Sequence, residues 1–259
     1  MNVTAVPTGV VESMLNPDGM PPYKGPTGSV EGTLTVINAI PIPKTDDYRK
    51  CPDAEKMWGT SFRLGPVVGD AKKDARALGD ALVVVTNYNA YVQEKKEAAE
   101  AVIDGCAYTS RTVTMTYGQR LDVRNISKDF WTPVLEPGSK MVMMMAPPKG
   151  DPVHIYPKQP GHYMLLDRDR KYAIVDVYAF LHPLHSTTDI KGHYRIDGLP
   201  VGKLKVNATH PQLDAQVSVD LTVVEGVVHH VDLQLNAEIV PTGSTPPPAD
   251  AGSGPPPVH

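Results

Sequence analysis

Residues 187–213, TTDIKGHYRIDGLPVGKLKVNATHPQL, constrain this chain most, because two glycine-punctuated turns separate three short β patterns. Asp189 and Gly192 suit a tight connection that needs a side-chain acceptor and a residue free to take positive φ. His193, Tyr194, Arg195 and Ile196 then alternate as a strand does, and Gly198, Pro200 and Gly202 punctuate the next turn. Beyond it Leu204, Val206 and Ala208 point one way and Lys203, Lys205 and Asn207 the other. Such a segment is the edge of a small antiparallel sandwich. Similar patterns recur as SVEGTLTV at 29–36, ALVVVT at 81–86, then TVTMTY, RLDVRN, MVMMM, YMLL and KYAIVDVYAF from Arg111 onward. Short strands at this spacing predict an all-β protein of sandwich or barrel type.

A chain of 259 residues, 41% of them hydrophobic, can bury one large core or two modest ones. The remaining segments are less regular. Residues 1–27 hold five prolines and three glycines with little periodicity, and read as an arm on the surface or disordered. Residues 41–80 form a long irregular stretch with one possible helical turn at 71–78, and 94–101 (EKKEAAEA) has the propensity of a solvated helical turn. The tail PTGSTPPPADAGSGPPPVH is too poor in apolar side chains to offset the entropy of ordering.

A net charge of −4 with scattered lysines excludes the broad basic field that nucleic acid requires. No apolar run approaches the roughly 20 residues of a membrane span, and Met1-Asn2-Val3-Thr4 lacks a signal peptide's basic start. Cys51 and Cys106, the only cysteines, rule out a tetrathiolate site and permit either two unpaired thiols or one disulfide. Each lies near a strand boundary, where a cross-link would close a long loop and stabilise by about 3–4 kcal/mol. We expect the disulfide, and with it an oxidising compartment, periplasmic or extracellular.

No catalytic constellation is visible. Ser139, Ser186 and Ser218 lack a nucleophile elbow, and neither a zinc-protease helix motif nor a phosphate-cradling glycine loop occurs. Asp167 and Asp169, interleaved with Arg168 and Arg170, read as a solvated, self-compensated loop. The chain is therefore expected not to be an enzyme.

The pattern D-x-x-G-x-Y-x-I-x-G-L-P-x-G-x-L-x-V-x-A-x-H across 189–210 resembles the carboxypeptidase-regulatory-like (transthyretin-like) β-sandwich, a non-catalytic module of many secreted proteins. In it, His210 would end a strand and serve a structural role. Ile103-Asp104-Gly105-Cys106-Ala107-Tyr108, Val113, Gly118-Gln119-Arg120-Leu121 and Asn125 resemble the cupredoxin-like domain of bacterial periplasmic proteins of the methylamine-utilisation and plastocyanin-like type. Copper-binding members carry a histidine shortly after that asparagine and a Cys-x-x-His-Pro-x-Met-type segment before the last strand. Here the first position reads Trp131 and the second falls on 167–173, DRDRKYA, without cysteine, histidine or methionine. Indole has no lone pair for copper and guanidinium is a permanent cation, so the resemblance implies a scaffold whose type 1 site is erased.

These resemblances imply two sandwich modules. A regulatory-like sandwich would be assembled from 28–89 and 185–236, with a cupredoxin-like Greek-key domain at 104–183 inserted between its strands, an arm at 1–27 and a Pro/Gly-rich tail at 237–259; a simple tandem is the alternative. The function expected is a non-catalytic extracytoplasmic binding or assembly protein that takes a protein or glycan partner and needs no cofactor, with Phe130 and Trp131 either packing into the vacated site or anchoring a partner. The alternative is a copper-binding or electron-transfer protein using displaced ligands, namely His154, His162, Met164, His182 and His185, with Met141, Met143, Met144 and Met145 as further sulfur. A methionine cluster on a strand also simply fills core gaps, and His229 and His230, adjacent on a strand, would face opposite ways.

Overall fold

The computed structural model describes residues 4–38, 51, 64–68, 75–93, 97–137, 144–170 and 172–237. After a helix, α1 (Thr8–Leu15), four strands follow: β1 (Thr27–Ile37), β2 (Leu64–Val67), β3 (Arg76–Leu78) and β4 (Leu82–Thr86). Eight more form a second group: β5 (Ala99–Asp104), β6 (Ala107–Tyr108), β7 (Thr112–Thr116), β8 (Leu121–Asn125), β9 (Pro133–Glu136), β10 (Val153–Ile155), β11 (Gly161–Asp167) and β12 (Ile174–Phe180). The chain then adds β13 (His185–Thr187), β14 (His193–Pro200), β15 (Gly202–His210), β16 (Leu213–Val223), β17 (Val228–His230) and β18 (Leu233–Asn236). The protein is mostly β, and the described strands form four sheets.

Pairing sorts these strands into two sandwiches. One sheet runs β14-β1-β3-β2, with β17 and β18 also on β1, and it faces β13-β4-β15-β16. Between them lie Val30, Leu34, Val36, Leu78, Val83 and Val85 from the early chain, with Leu184, Leu204, Val206 and Leu235 from the late chain. The other sandwich pairs sheet β10-β8-β5-β6 with β7-β12-β11-β9 around Ile103, Tyr108, Met115, Leu121, Trp131, Leu165, Val175 and Val177. The chain leaves the first sandwich after β4 and rejoins it at β13. We call them the outer and the inserted sandwich.

The turn before β14 forms as its residues dictate. Asp189 Oδ1 accepts the N–H groups of Lys191 (2.8 Å) and His193 (2.9 Å), and Gly192 takes φ +77°. A Cβ on Gly192 would lie 2.3 Å from the Leu34 carbonyl oxygen, so the strand can approach β1 only with glycine there. Along β15 the expected alternation holds, with Leu204, Val206 and Ala208 buried.

Two local expectations are overturned, and the arm carries a helix that was not expected. The arm contains α1, a helix too short to persist alone; it is held because Val11 is buried over Gly118, where a Cβ would come within 2.5 Å of the valine methyl. Ala99, Glu100 and Ala101 belong to β5 and not to a helical turn, because parallel pairing with β8 (Ala99↔Leu121, Ala101↔Val123) overrides intrinsic propensity. Residues 76–78 are likewise strand, paired with β1 and β2, while 71–74 and 94–96 lie outside the described residues. Ala237, the first residue of the expected tail, is buried and donates its N–H to Ile37 O.

The sandwiches meet through polar groups. Asp80 Oδ1 accepts the Arg111 N–H (3.0 Å), Arg111 Nη1 lies 3.1 Å from Asp176 Oδ2, and Gln212 Nε2 donates to the same oxygen at 3.4 Å. His210, 1% exposed, sits beside this network, and burial drives its pKa down to about 4 against the opposing pull of Asp80. Buried charges of both signs that satisfy one another fix the docking geometry more than they add stability.

Candidate functional site

Cys51 and Cys106 form a disulfide with a Cα separation of 5.6 Å. Close by, the positions that resemble copper ligands do converge, on different chemistry. Trp131 is fully buried, its Nε1 donating to Ser127 Oγ at 3.1 Å and its ring edge-on to Tyr108 at 5.7 Å. The Arg170 guanidinium lies 4.5 Å over the indole and 3.6 Å from Asp167 Oδ1. Asp167 is not a solvated loop carboxylate but a buried one. Its Oδ1 accepts the N–H groups of Asp169 (3.0 Å) and Arg170 (2.8 Å), and its Oδ2 that of Thr132 (2.7 Å). Asn125 orders the loop before Trp131, donating to Asp129 O and Ala146 O and accepting from Ser127. Indole, guanidinium and a carboxylate already engaged by three N–H groups form a cation–π and ion-pair cluster, which offers copper no imidazole or thiolate.

Trp131, being 0% exposed, presents nothing to a partner, whereas Phe130 beside it is 60% exposed. The two share a segment but face opposite ways, since Trp131 bridges Ala146 toward the core.

The displaced ligand set does not assemble. His154 on β10 pairs with Asp122 at 2.7 Å, on the sheet opposite the one that carries His162 and Met164, while His185 lies on β13 of the outer sandwich. His162 stacks on Tyr178 (4.5 Å) and reaches Asp176 at 2.8 Å, and Met164 stands exposed on the same strand. His182 and His185 lie 6.5 Å apart by ring centroids, both against Phe180, with His185 Nε2 3.3 Å from Thr116 Oγ1. Among the described residues no three His, Cys, Asp or Glu side chains come together as a metal site would require. Met144 packs against the inserted core and Met145 is exposed, outside any strand; Met141 and Met143 lie outside the described residues.

Sequence reasoning missed a groove of about 600 Å³ on the outer sandwich. Three strands abreast build it: in β1, Glu31 stands opposite Arg195 of antiparallel β14 and beside His230 of parallel β17. Outward side chains at matched register meet. Glu31 Oε2 lies 2.6 Å from Arg195 Nη1, and Oε1 lies 3.3 Å from His230 Nδ1. Hydrogen bonding from Asp197, then Glu31, raises the Arg195 pKa above its ordinary value. Thr33, Ser186, Thr187, Asp189, His193 and Asp232 add further polar groups to the lining, with Asp232 Oδ1 accepting the Thr33 N–H at 2.8 Å. The alternation of His193, Arg195 and Asp197 was visible in the sequence; their partner Glu31, 164 positions before Arg195, was not.

Neither family models nor curated proteins match this chain.

Proposed function

We propose that this chain is a non-catalytic, extracytoplasmic binding or assembly protein whose groove across β1, β14 and β17 takes a short glycan. The observation that carries this reading is the row His230–Glu31–Arg195, held by three paired strands and flanked by hydroxyls and further carboxylates. Carboxylate, guanidinium, imidazole and hydroxyl groups on a rigid sheet match the donors and acceptors of sugar hydroxyls, and the volume suits a short oligosaccharide. Glu31 is engaged in ion pairs and Asp232 by a backbone N–H, which suits recognition better than acid–base chemistry. The disulfide favours an oxidising compartment, and among the described residues no helix is long and apolar enough to cross a membrane. Two sandwiches, one carrying a filled ligand site, are consistent with the regulatory-like and cupredoxin-like resemblances; a fold leaves function to its sites.

Screening immobilised oligosaccharides against the intact chain, then titrating the best binder calorimetrically, tests the proposal. Arg195→Ala should weaken binding by at least about tenfold, the worth of a charge-assisted hydrogen bond, while leaving the melting temperature nearly unchanged. Absence of oligosaccharide binding, or unchanged affinity in that variant, would overturn it.

A further inference from the structure

β16 closes one side of the sheet β13-β4-β15-β16, and among the described residues it pairs only with β15. Alternate N–H and C=O groups along its other side therefore have no strand partner there. Open edges are ordinarily kept short or interrupted, because they template pairing with another chain. The other edge strands among the described residues follow that rule: they run two to five residues, except β14, which has 8, ends on Pro200 and carries a register shift against β1. β16 does not. It runs 11 residues without lysine, arginine, proline or glycine, and its register with β15 is unbroken from Gln216 to Val223.

The two faces of this strand differ. Gln216, Ser218, Asp220 and Thr222 are exposed on the outer one, where Ser218 Oγ donates to Asn207 Oδ1 at 2.7 Å and Lys205 Nζ lies 3.5 Å from Asp220 Oδ1. Ala215, Val217, Val219 and Leu221 face the core yet stay only partly buried, whereas Leu204, Val206 and Ala208 beside them on β15 are at most 2% exposed. The facing sheet leaves this apolar row open at the edge.

We propose that β16 is a dimerisation strand, pairing antiparallel with β16 of a second copy of this chain so that two four-stranded sheets become one continuous sheet. A two-fold axis normal to the sheet sets one residue opposite its own copy, and centring it on Ser218 overlaps the whole strand. In that register Val217 meets Val219 and Ala215 meets Leu221 on the apolar face, while Gln216 meets Asp220, an amide donor against a carboxylate. Moving the axis to Asp220 would oppose two carboxylates, and any other centre gives up pairs at the ends. The register with the fullest overlap thus sets no charge against its like, and the edge is complementary to itself. The proposal is independent of the glycan groove, whose Ser186 and Thr187 wall lies on β13, the far edge of this sheet.

Sedimentation velocity of the intact disulfide-bonded chain over a concentration series should show a reversible equilibrium between monomer and dimer. Ser218→Lys puts two ammonium groups on the axis at an exposed position, and should weaken dimerisation by at least about tenfold while leaving the monomer's melting temperature nearly unchanged. Ser218→Cys should yield a covalent dimer on mild oxidation, since residues opposed across antiparallel strands stand about 4.5–5.5 Å apart at Cα, within disulfide reach. Thr222→Cys should not, because the same register holds it roughly 27 Å from its copy. A chain that stays monomeric at every concentration, a dimer indifferent to Ser218→Lys, or cross-linking no greater for Ser218→Cys than for Thr222→Cys would each overturn the proposal. The concentration series on the unmodified chain needs no variant to fold.

Discussion

The outer sandwich closes its core with aliphatic side chains from two stretches far apart in sequence, Val30 to Val85 and Leu184 to Leu235, with Tyr194 the main exception. The inserted sandwich fills its core with Trp131, Tyr108 and Met115 from nearly continuous chain and adds a disulfide. The difference bears on function. In the inserted sandwich, polar groups around Trp131 turn inward and satisfy one another, so that end is a packing solution. In the outer sandwich, polar side chains turn outward across three strands and keep hydrogen-bonding capacity for a ligand. Cys51 adds a link between the two: it is buried in the inserted core, whereas β1 before it and β2 after it in the chain both belong to the outer sheet.

The sharpest way to break this contrast is Trp131→Ala. Removing the indole leaves a cavity, takes one donor from the Ser127 hydroxyl, which keeps its bond to Asn125, and takes the ring from under Arg170, so the loss should be about 3–5 kcal/mol. Hydrogen exchange should show the loosening in β5, β8 and β12 before β15, and the oligomeric state should not change. A loss below about 1 kcal/mol would show that the Trp131 cluster contributes little to the inserted core.

Cys51→Ala with Cys106→Ala comes next. The bridge spans 55 residues, for which chain entropy gives about 4 kcal/mol at most, less whatever the unbridged chain regains by relaxing. Denaturant midpoints of the two forms measure it, and a shift confined to the inserted sandwich would mean that the link through Cys51 does not couple the modules.

Acidification probes the boundary between them. His210 has its folded pKa depressed to about 4, chiefly by burial, against an ordinary value of 6.5. The unfolded state therefore binds the additional proton in that window. Stability is complete above about pH 6.5 and falls as pH drops toward 4, by up to about 3 kcal/mol. Melting temperature against pH should lose this slope in His210→Gln, and an unchanged slope would remove His210 from the account.

The smallest effect belongs to Phe130→Ser. A side chain 60% exposed should cost within about 0.5 kcal/mol, in contrast to its buried neighbour. A larger loss in thermal denaturation would mean that Phe130 also supports the cluster.

Strand alternation was legible because a strand's two faces are set by adjacent residues, as in β15 with Leu204, Val206 and Ala208. The disulfide was legible because only two cysteines exist. The helix over 8–15 was not, since a single apolar contact, Val11 on Gly118, decides it and lies more than a hundred residues away. Nor was β5, whose alanine- and glutamate-rich start has helical propensity until β8 pairs with it. The candidate groove was half visible: the outward residues of β14 could be read, their neighbours on β1 and β17 could not.

What the sequence determined by itself is local: the all-β class, the turn at Asp189–Gly192, the inward faces of the strands, and side chains at the copper-like positions that cannot serve as imidazole or thiolate. What only the tertiary structure decided is which polar groups meet. Glu31 finds Arg195 and His230 because three strands align in register, and Asp167 finds Arg170 and Thr132 because a loop folds back on β11. The reason is physical. Alternation is written in neighbouring residues, whereas register and burial depend on strand partners that the chain brings together only once both cores have closed.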